Sequence, residues 1–218
     1  MNLTDELKHL QEQFKAKQPE EVKKVMASAT NDLIRQGIAQ NSLKCGDTMP
    51  NFRLSNALGK TRELQDLLQK GTVIISFYRG GWCPYCNLEL RTLQQYLPQF
   101  QALGANLVAI SPETPDNSLS TTEKNELTFE VLSDVGNQFA KTLGLVFTLP
   151  EALRPIYQNF GIDLAAYNGD NSFELPIPAT YVVTQDTKIV EAFIEPDYTK
   201  RLDPEAIIST LENLSKNR

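Results

Sequence analysis

The chain has 218 residues, 41% of them hydrophobic and 22% charged, which is ordinary globular usage and excludes disordered and fibrous classes. A net charge of −6 argues against nucleic acid as a partner, because phosphate binding needs concentrated Lys and Arg. The polar, acidic opening MNLTDELKHLQEQ, with no long apolar run behind it, predicts neither a secretory signal nor a membrane span and leads to an expectation of a cytoplasmic protein.

Residues 3 to 39 carry Leu3, Leu7, Leu10, Phe14, Val22, Val25, Met26, Ala29, Leu33 and Ile34 at helical spacing. Pro19, followed by Glu20 and Glu21, opens a second helix, and Gly37 is its stop. We read residues 1–42 as a helical extension whose apolar stripe docks on its own chain or on a second copy in a homodimer. Residues 43–218 then form one domain. There LKCGDTMPNFRLSNALGKTRELQDLL predicts a short strand, a turn over Asn56 to Lys60 and a short helix.

TVIISFY is a β-rich, mainly apolar run, suited to a strand buried on both faces. PYCNLELRTLQQYLPQFQALG is a helix that Pro98 should kink or split. ANLVAISP is a second buried strand running into a loop rich in Pro, Ser, Thr and Asp. LTFEVLSD reads as a third strand, and VGNQFAKTLGL as a helix closed by Gly144. Val146 to Leu175 shows no clear periodicity. PATYVVTQ and TKIVEAFIE form a hairpin, and DPEAIISTLENLSK a last helix with Asp203 as N-cap. Alternating strands and helices with a terminal hairpin predict an α/β protein with a central mixed sheet.

The chemistry concentrates in FYRGGWCPYC, which holds two of three cysteines and the only tryptophan. A strand ending near Tyr78, a turn over the two glycines and Pro84 at the first helical position put Cys83 at the N-cap. Cys86 then lies in the first helical turn. Unpaired N–H groups and the positive end of the helix dipole stabilise a thiolate there, lowering a thiol pKa from ~8.5 toward ~3.5–7.5. Arg79 and Arg91 can add positive charge. In a reducing cytosol such a pair means catalysis or metal binding rather than a structural disulfide. Zinc normally takes four Cys or His ligands, and the whole supply is Cys45, Cys83, Cys86 and His9. We therefore expect a redox pair, with no metal and no cofactor.

The segments LKCGDTMPNFRL, FYRGGWCPYCNLELRTL, LVAISPE, FEVLSD and PATYVV, in this order, resemble the alkyl hydroperoxide reductase / thiol-specific antioxidant family. That is the peroxiredoxin branch of the thioredoxin-like fold, and the likeness runs from about Leu43 to the C-terminus. It implies a thioredoxin-like, peroxiredoxin-type sheet flanked by helices. It is nearest to peroxiredoxin-like proteins carrying CxxC. Laid on the family's P-x-x-x-T-x-x-C motif, the peroxidatic position is Cys86, the Thr position is Cys83 and the Pro position is Arg79. The family's late-strand Arg is replaced by Pro176, Ile177 and Pro178, so an arginine would have to come from elsewhere, such as Arg79 or Arg154.

Thioredoxins instead attack with the first Cys of CxxC and pack a cis-proline against the pair, which Cys83, Cys86 and Pro178 match. Tyr78 and Trp82 are expected to wall the site. Cys45 is expected to be a buried structural thiol, with a resolving role as the alternative. Glu89 and Arg91 are expected on a solvated helix face, with a part in a local polar network as the alternative. Three functions follow. One is a thiol peroxidase recycled by thioredoxin or glutaredoxin, with Cys86 peroxidatic and Cys83 resolving. Another is a thiol–disulfide oxidoreductase attacking through Cys83, and the third is a redox-sensing module.

Overall fold

The computed structural model describes residues 2–216. Two helices, α1 (Leu3–Lys17) and α2 (Glu20–Arg35), and a single turn, α3 (Ile38–Asn41), precede the sheet. Asn2 caps α1 by accepting from the Asp5 N–H, Pro19 stands at the N-cap of α2, and Gly37 leaves that helix with φ 73°. Leu3 and Leu7 of α1 are buried against the helices on one side of the sheet. Gln11 donates to Thr199 at 2.9 Å, and Phe14 meets Phe160 edge-on at 5.7 Å. The helices thus dock on their own chain.

After β1 (Arg53–Asn56), β2 (Thr61–Glu63) and α4 (Leu64–Leu68) come the central pieces. These are β3 (Thr72–Phe77), α5 (Pro84–Ala102), β4 (Ala105–Ser111), α6 (Pro115–Lys124), β5 (Glu130–Ser133) and α7 (Gln138–Thr142). The remainder is β6 (Val146–Thr148), α8 (Arg154–Asn159), α9 (Leu164–Asn168), β7 (Glu174–Pro176), β8 (Ala179–Val183), β9 (Ile189–Ile194) and α10 (Pro204–Lys216). Seven strands form one sheet in the order β2-β1-β5-β4-β3-β8-β9, and β6 pairs with β7 apart from it. β3, β4 and β5 run parallel, while β8 is antiparallel to β3 and β9 to β8. This is the mixed, helix-flanked sheet that the element order predicts.

All six residues of β3 are buried, as its mainly apolar run suits a central strand covered on both faces. Val73, Ile75 and Phe77 enter one cluster with Leu132 and Phe139; Ile74 enters the opposite one with Leu90, Leu93 and Phe100. Each such side chain contributes roughly 1.5–3 kcal/mol by leaving water. The alternation also aims Ser76 at α5, which matters below.

Three expectations change. The polar segment after β4 is helix α6, because Pro115 starts it and Ser120 and Thr122 fold their hydroxyls back onto the carbonyls of Asp116 and Ser118. Pro98 does not split α5, since Leu97 and Phe100 on either side are anchored in the core. The stretch from Val146 to Leu175 is built of short pieces, α8, α9 and the β6–β7 pair, around Leu149, Leu153, Tyr157, Leu164 and Leu175. None is long enough to show a period.

Candidate active site

The Tyr78 N–H still donates to Ile110 O at 3.0 Å, carrying the β3–β4 ladder one residue past the strand. The chain then reverses over Gly80 and Gly81. A Cβ on Gly80, whose φ is 151°, would stand 2.2 Å from Trp82 Nε1, and one on Gly81 2.0 Å from Thr121 Oγ1. Only glycine fits at either place. Cys83 is the N-cap of α5 with Pro84 behind it, as the sequence predicts. Its N–H donates to Gly80 O at 3.1 Å and its carbonyl accepts from Asn87 N–H at 3.0 Å.

Side chains clamp this turn from behind. The Glu113 carboxylate accepts from the Gly81 N–H at 2.9 Å and from the Thr121 hydroxyl at 3.3 Å. Asn87 donates to Gly81 O at 2.8 Å and itself accepts from Asn125 at 2.9 Å. Burial pushes Glu113 up to about 7, against the pull of those two donors.

Cys83 and Cys86 are free thiols, and their exposures are only 1% and 0%. Each has its own arginine. Arg79 Nη1 lies 3.9 Å from Cys83 Sγ, and Arg201 Nη2 donates to Cys86 Sγ at 3.1 Å. Burial works against a charge on Cys83. A hydrogen bond from the Cys86 thiol, the charges of Arg79 and Arg201, and the Cys86 N–H outweigh it, so Cys83 sits well below an ordinary thiol. Cys86 goes the other way. It is buried, it gives its hydrogen bond to Cys83, and it meets the negative charge there, which together overcome Arg201 and Arg79.

Arg79 is itself buried and has no carboxylate partner among the described residues. Its guanidinium lies among the rings of Tyr198, Trp82 and Tyr157, with centroids at 4.6, 4.9 and 5.7 Å, and it donates to the Tyr157 hydroxyl. Arg201 is oriented by a hydrogen-bonded ion pair with Glu89 and by the Tyr198 and Lys200 carbonyls at 2.8 and 2.7 Å. Glu89 is 2% exposed and also accepts from Ser76 at 3.4 Å. Burial pushes its carboxyl up to about 7, against Arg201.

Several sequence expectations are corrected by this arrangement. Glu89 is not on a solvated face, because its spacing of three from Cys86 puts both on the buried side of α5. Arg91, two residues on and so on the opposite side of α5, is exposed, as a solvated face requires, and donates to Asn125 at 3.0 Å. Arg154 is not the missing arginine; it covers the Phe173 ring at 4.1 Å. Cys45 is exposed, not buried, because a tight turn closed by Lys44 N–H donating to Asp47 at 2.8 Å lifts it off the core. Pro178 is in place before β8 and buried, yet no peptide bond among the described residues is cis. Extended pairing on both sides explains the trans bond: Ile177 N–H donates to Leu145 O at 2.9 Å, and Pro178 O accepts from Glu195 N–H at 3.2 Å. Tyr78 and Trp82 pack beside the sulfurs as expected. His9 is exposed on α1, paired with Gln13 at 2.8 Å, and lines a surface hollow with Pro84 and Asn87.

A cavity of about 530 Å³ is lined by Arg79, Tyr157, Tyr198 and Pro178 of this region and by Met26, Ala29 and Leu33 of α2; neither cysteine lines it. Sequence reasoning missed Arg201, Glu113, Tyr157 and Tyr198. Only the fold brings them together, and no local pattern marks them. No helix among the described residues is long and apolar enough to cross a membrane.

Comparison with known proteins bears on the same region. A Buchnera aphidicola protein named as a peroxiredoxin (bcp) is 33% identical over 104 residues, 48% of this chain, and the match spans 65% of that protein's length. The thiol-disulfide oxidoreductase ResA of Bacillus cereus is 23% identical over 170 residues, covering 77% of this chain and 80% of that one. Among solved structures, peroxidoxin BcpB of Mycobacterium tuberculosis superimposes with a TM-score of 0.63 at 22% identity, over 79% of this chain and 98% of the other. That likeness, with others of the same kind, establishes the thioredoxin-like fold of peroxiredoxins. The family model described as AhpC/TSA family matches residues 45–192, which take in both cysteines, the clamped turn and the strands that carry them. The chain belongs to the AhpC/TSA family.

Proposed function

We propose that this protein is a thiol peroxidase that works through the Cys83–Cys86 pair. The observation that carries the reading is a buried dithiol set between two guanidinium groups, Arg79 3.9 Å from Cys83 Sγ and Arg201 3.1 Å from Cys86 Sγ. Family membership supports the peroxide as substrate, and the relatives named as peroxiredoxins point the same way.

Cys83 is the attacking sulfur in this reading. It bears the thiolate, and Arg79 stands between it and the cavity, whereas Cys86 lies behind. The thiolate attacks the distal oxygen of a hydroperoxide; the S–O bond forms as the O–O bond breaks, and the alkoxide or hydroxide leaves with a proton from solvent. The sulfenic acid on Cys83 then condenses with the Cys86 thiol, forming the disulfide and releasing water. Arg201 stabilises the Cys86 thiolate as it forms. A dithiol reductant of the thioredoxin or glutaredoxin type supplies the two electrons that reopen the pair. Pro178 and Trp82 shape the approach, and Tyr78 backs the sulfurs.

A second reading is thiol–disulfide exchange by the same nucleophile, favoured by the ResA likeness over 77% of the chain. Stopped-flow oxidation with hydrogen peroxide, followed by dimedone trapping, separates the two. Cys86→Ser should accumulate a sulfenate on Cys83, and Cys83→Ser should lose fast oxidation. Slow reaction with peroxide alongside rapid reaction of Cys83 with a model disulfide would transfer the assignment to exchange. Fast oxidation persisting in Cys83→Ser would move the attacking role to Cys86.

A further inference from the structure

Both sulfurs are buried, so whatever reacts with them waits on something moving. The start of α5 is held in place: Glu113 fixes the Gly81 N–H at 2.9 Å and Asn87 its carbonyl at 2.8 Å. The cover is a different element, the loop Glu195–Asp203 between β9 and α10. It lays Tyr198 over Arg79 at 4.6 Å and edge-on to Tyr85 at 5.5 Å, and it sends Arg201 onto Cys86. The loop is braced within itself. The Asp197 N–H donates to the Glu195 carboxylate at 3.0 Å, the Thr199 N–H and hydroxyl donate to the Asp197 carboxylate at 3.1 and 2.7 Å, and the Lys200 N–H donates to Asp197 O at 3.0 Å. A turn bonded in this way moves as one piece. Its outward ties come from elsewhere in the chain: Gln11 of α1 donates to Thr199 Oγ1 at 2.9 Å, and Glu89 of α5 holds Arg201. Space lies on both sides of Tyr198, which lines the 530 Å³ cavity and a second one of about 190 Å³ shared with Gln11, Met26 and Tyr85.

We propose that the loop Glu195–Asp203 is a lid on the dithiol and that α1 is its latch, holding it shut through Gln11 and Thr199. The lid swings while α5 and its cysteines stay where they are. Opening lifts Tyr198 from Arg79 and Arg201 from Cys86 in one motion, because both residues ride on the same turn. Cys86 is therefore reached only in the state in which its arginine has left. The N-terminal helices gain a part in the chemistry through a contact 188 residues apart in the chain. The inference goes beyond the peroxidase reading and is independent of which oxidant or reductant arrives.

The test uses the full, reduced chain with Cys45→Ser, which removes the exposed thiol. The rate at which iodoacetamide modifies Cys83 is followed at rising urea, with the site located by mass spectrometry, beside global unfolding of the same protein. At low urea the rate should depend on denaturant far less steeply than global unfolding does, because a lid uncovers little surface. Gln11→Leu drops the donor of the latch and should speed modification about 2–10-fold, the weight of one hydrogen bond. Thr199→Val removes the same bond from the loop side and should act alike. Tyr198→Ala should speed it at least ~10-fold. Ser209→Ala, which loses a bond to Glu205 O on α10 outside the loop, should leave the low-urea rate where it was. A urea slope equal to that of global unfolding would overturn the proposal. So would folded latch variants with the parent's rate, or a Ser209→Ala protein that speeds up as much as they do.

Discussion

Arg201 Nη2 rests 3.1 Å from Cys86 Sγ although 115 residues separate them, and Glu89 holds it there from one turn along the helix that carries the cysteine. A buried guanidinium is thus divided between a carboxylate and a sulfur.

Removing that cation strands Glu89. Arg201→Gln should destabilise the protein by about 3–5 kcal/mol, the usual consequence of leaving one member of a buried pair. The double variant Arg201→Gln, Glu89→Gln should recover much of the loss in urea unfolding. If the single variant is as stable as the parent, the pair carries no such energy.

The arginines and the hydrogen bond that lower the Cys83 thiol predict a pH profile. In the Cys45→Ser background, Cys83 alkylation by iodoacetamide should have its midpoint well below the ~8.5 of a free thiol. Arg79→Gln should raise that midpoint, because the remaining support comes from Cys86 and Arg201. A midpoint near ~8.5 in the parent would mean that burial has won over the cations and the hydrogen bond.

Glu113 gives a stability change of defined sign. Its folded pKa is raised by burial to about 7 from 4.5, so the folded state binds the proton more tightly than the unfolded one. Stability due to this group is therefore full below pH 4.5 and falls as pH rises to about 7, by roughly 3 kcal/mol. Glu113→Gln keeps an acceptor for the Gly81 N–H and removes the titration. The urea midpoint of the variant minus that of the parent should grow from pH 4.5 to 7.5; a flat difference would sink the assignment.

The glycine turn predicts a coupling. Gly81→Ala puts a methyl 2.0 Å from Thr121 Oγ1 and should cost ~1–3 kcal/mol through overpacking. Thr121→Ala removes the obstructing hydroxyl, so the two changes together should cost less than their sum, by at least ~0.5 kcal/mol in a double-mutant cycle. Simple additivity would show that the clamp yields without strain.

Legibility in the sequence followed the range of the interactions. TVIISFY could be read as a buried strand because its residues are apolar on both faces, and Cys83 as an N-cap because Pro84 fixes the helix start next to it. Both facts are local. Arg201 could not be read, since it reaches Cys86 only after β8, β9 and the following loop have returned the chain to α5. Glu89 lay in between. Its spacing from Cys86 was visible, but a glutamate on a helix is ordinarily solvated, and only the distant arginine makes its burial tolerable. Cys45 is a similar case: the resembling family's apolar residue before Gly46-Asp47 suggests core, and the turn closed by Lys44 and Asp47 leaves the thiol exposed.

The distance in sequence between Cys86 and Arg201 also has a meaning in time. Chains grow at roughly 5–20 residues per second, so on the order of ten seconds pass on the ribosome between the two residues. Throughout that interval the dithiol has no Arg201 beside Cys86, and for most of it no β8–β9 hairpin beside its strand. Newborn chains are then chemically different from finished ones, with an unshielded pair of thiols free to react with whatever oxidant or neighbouring chain they meet. The closed centre seen here is a property acquired only when the last strands and α10 have joined the sheet.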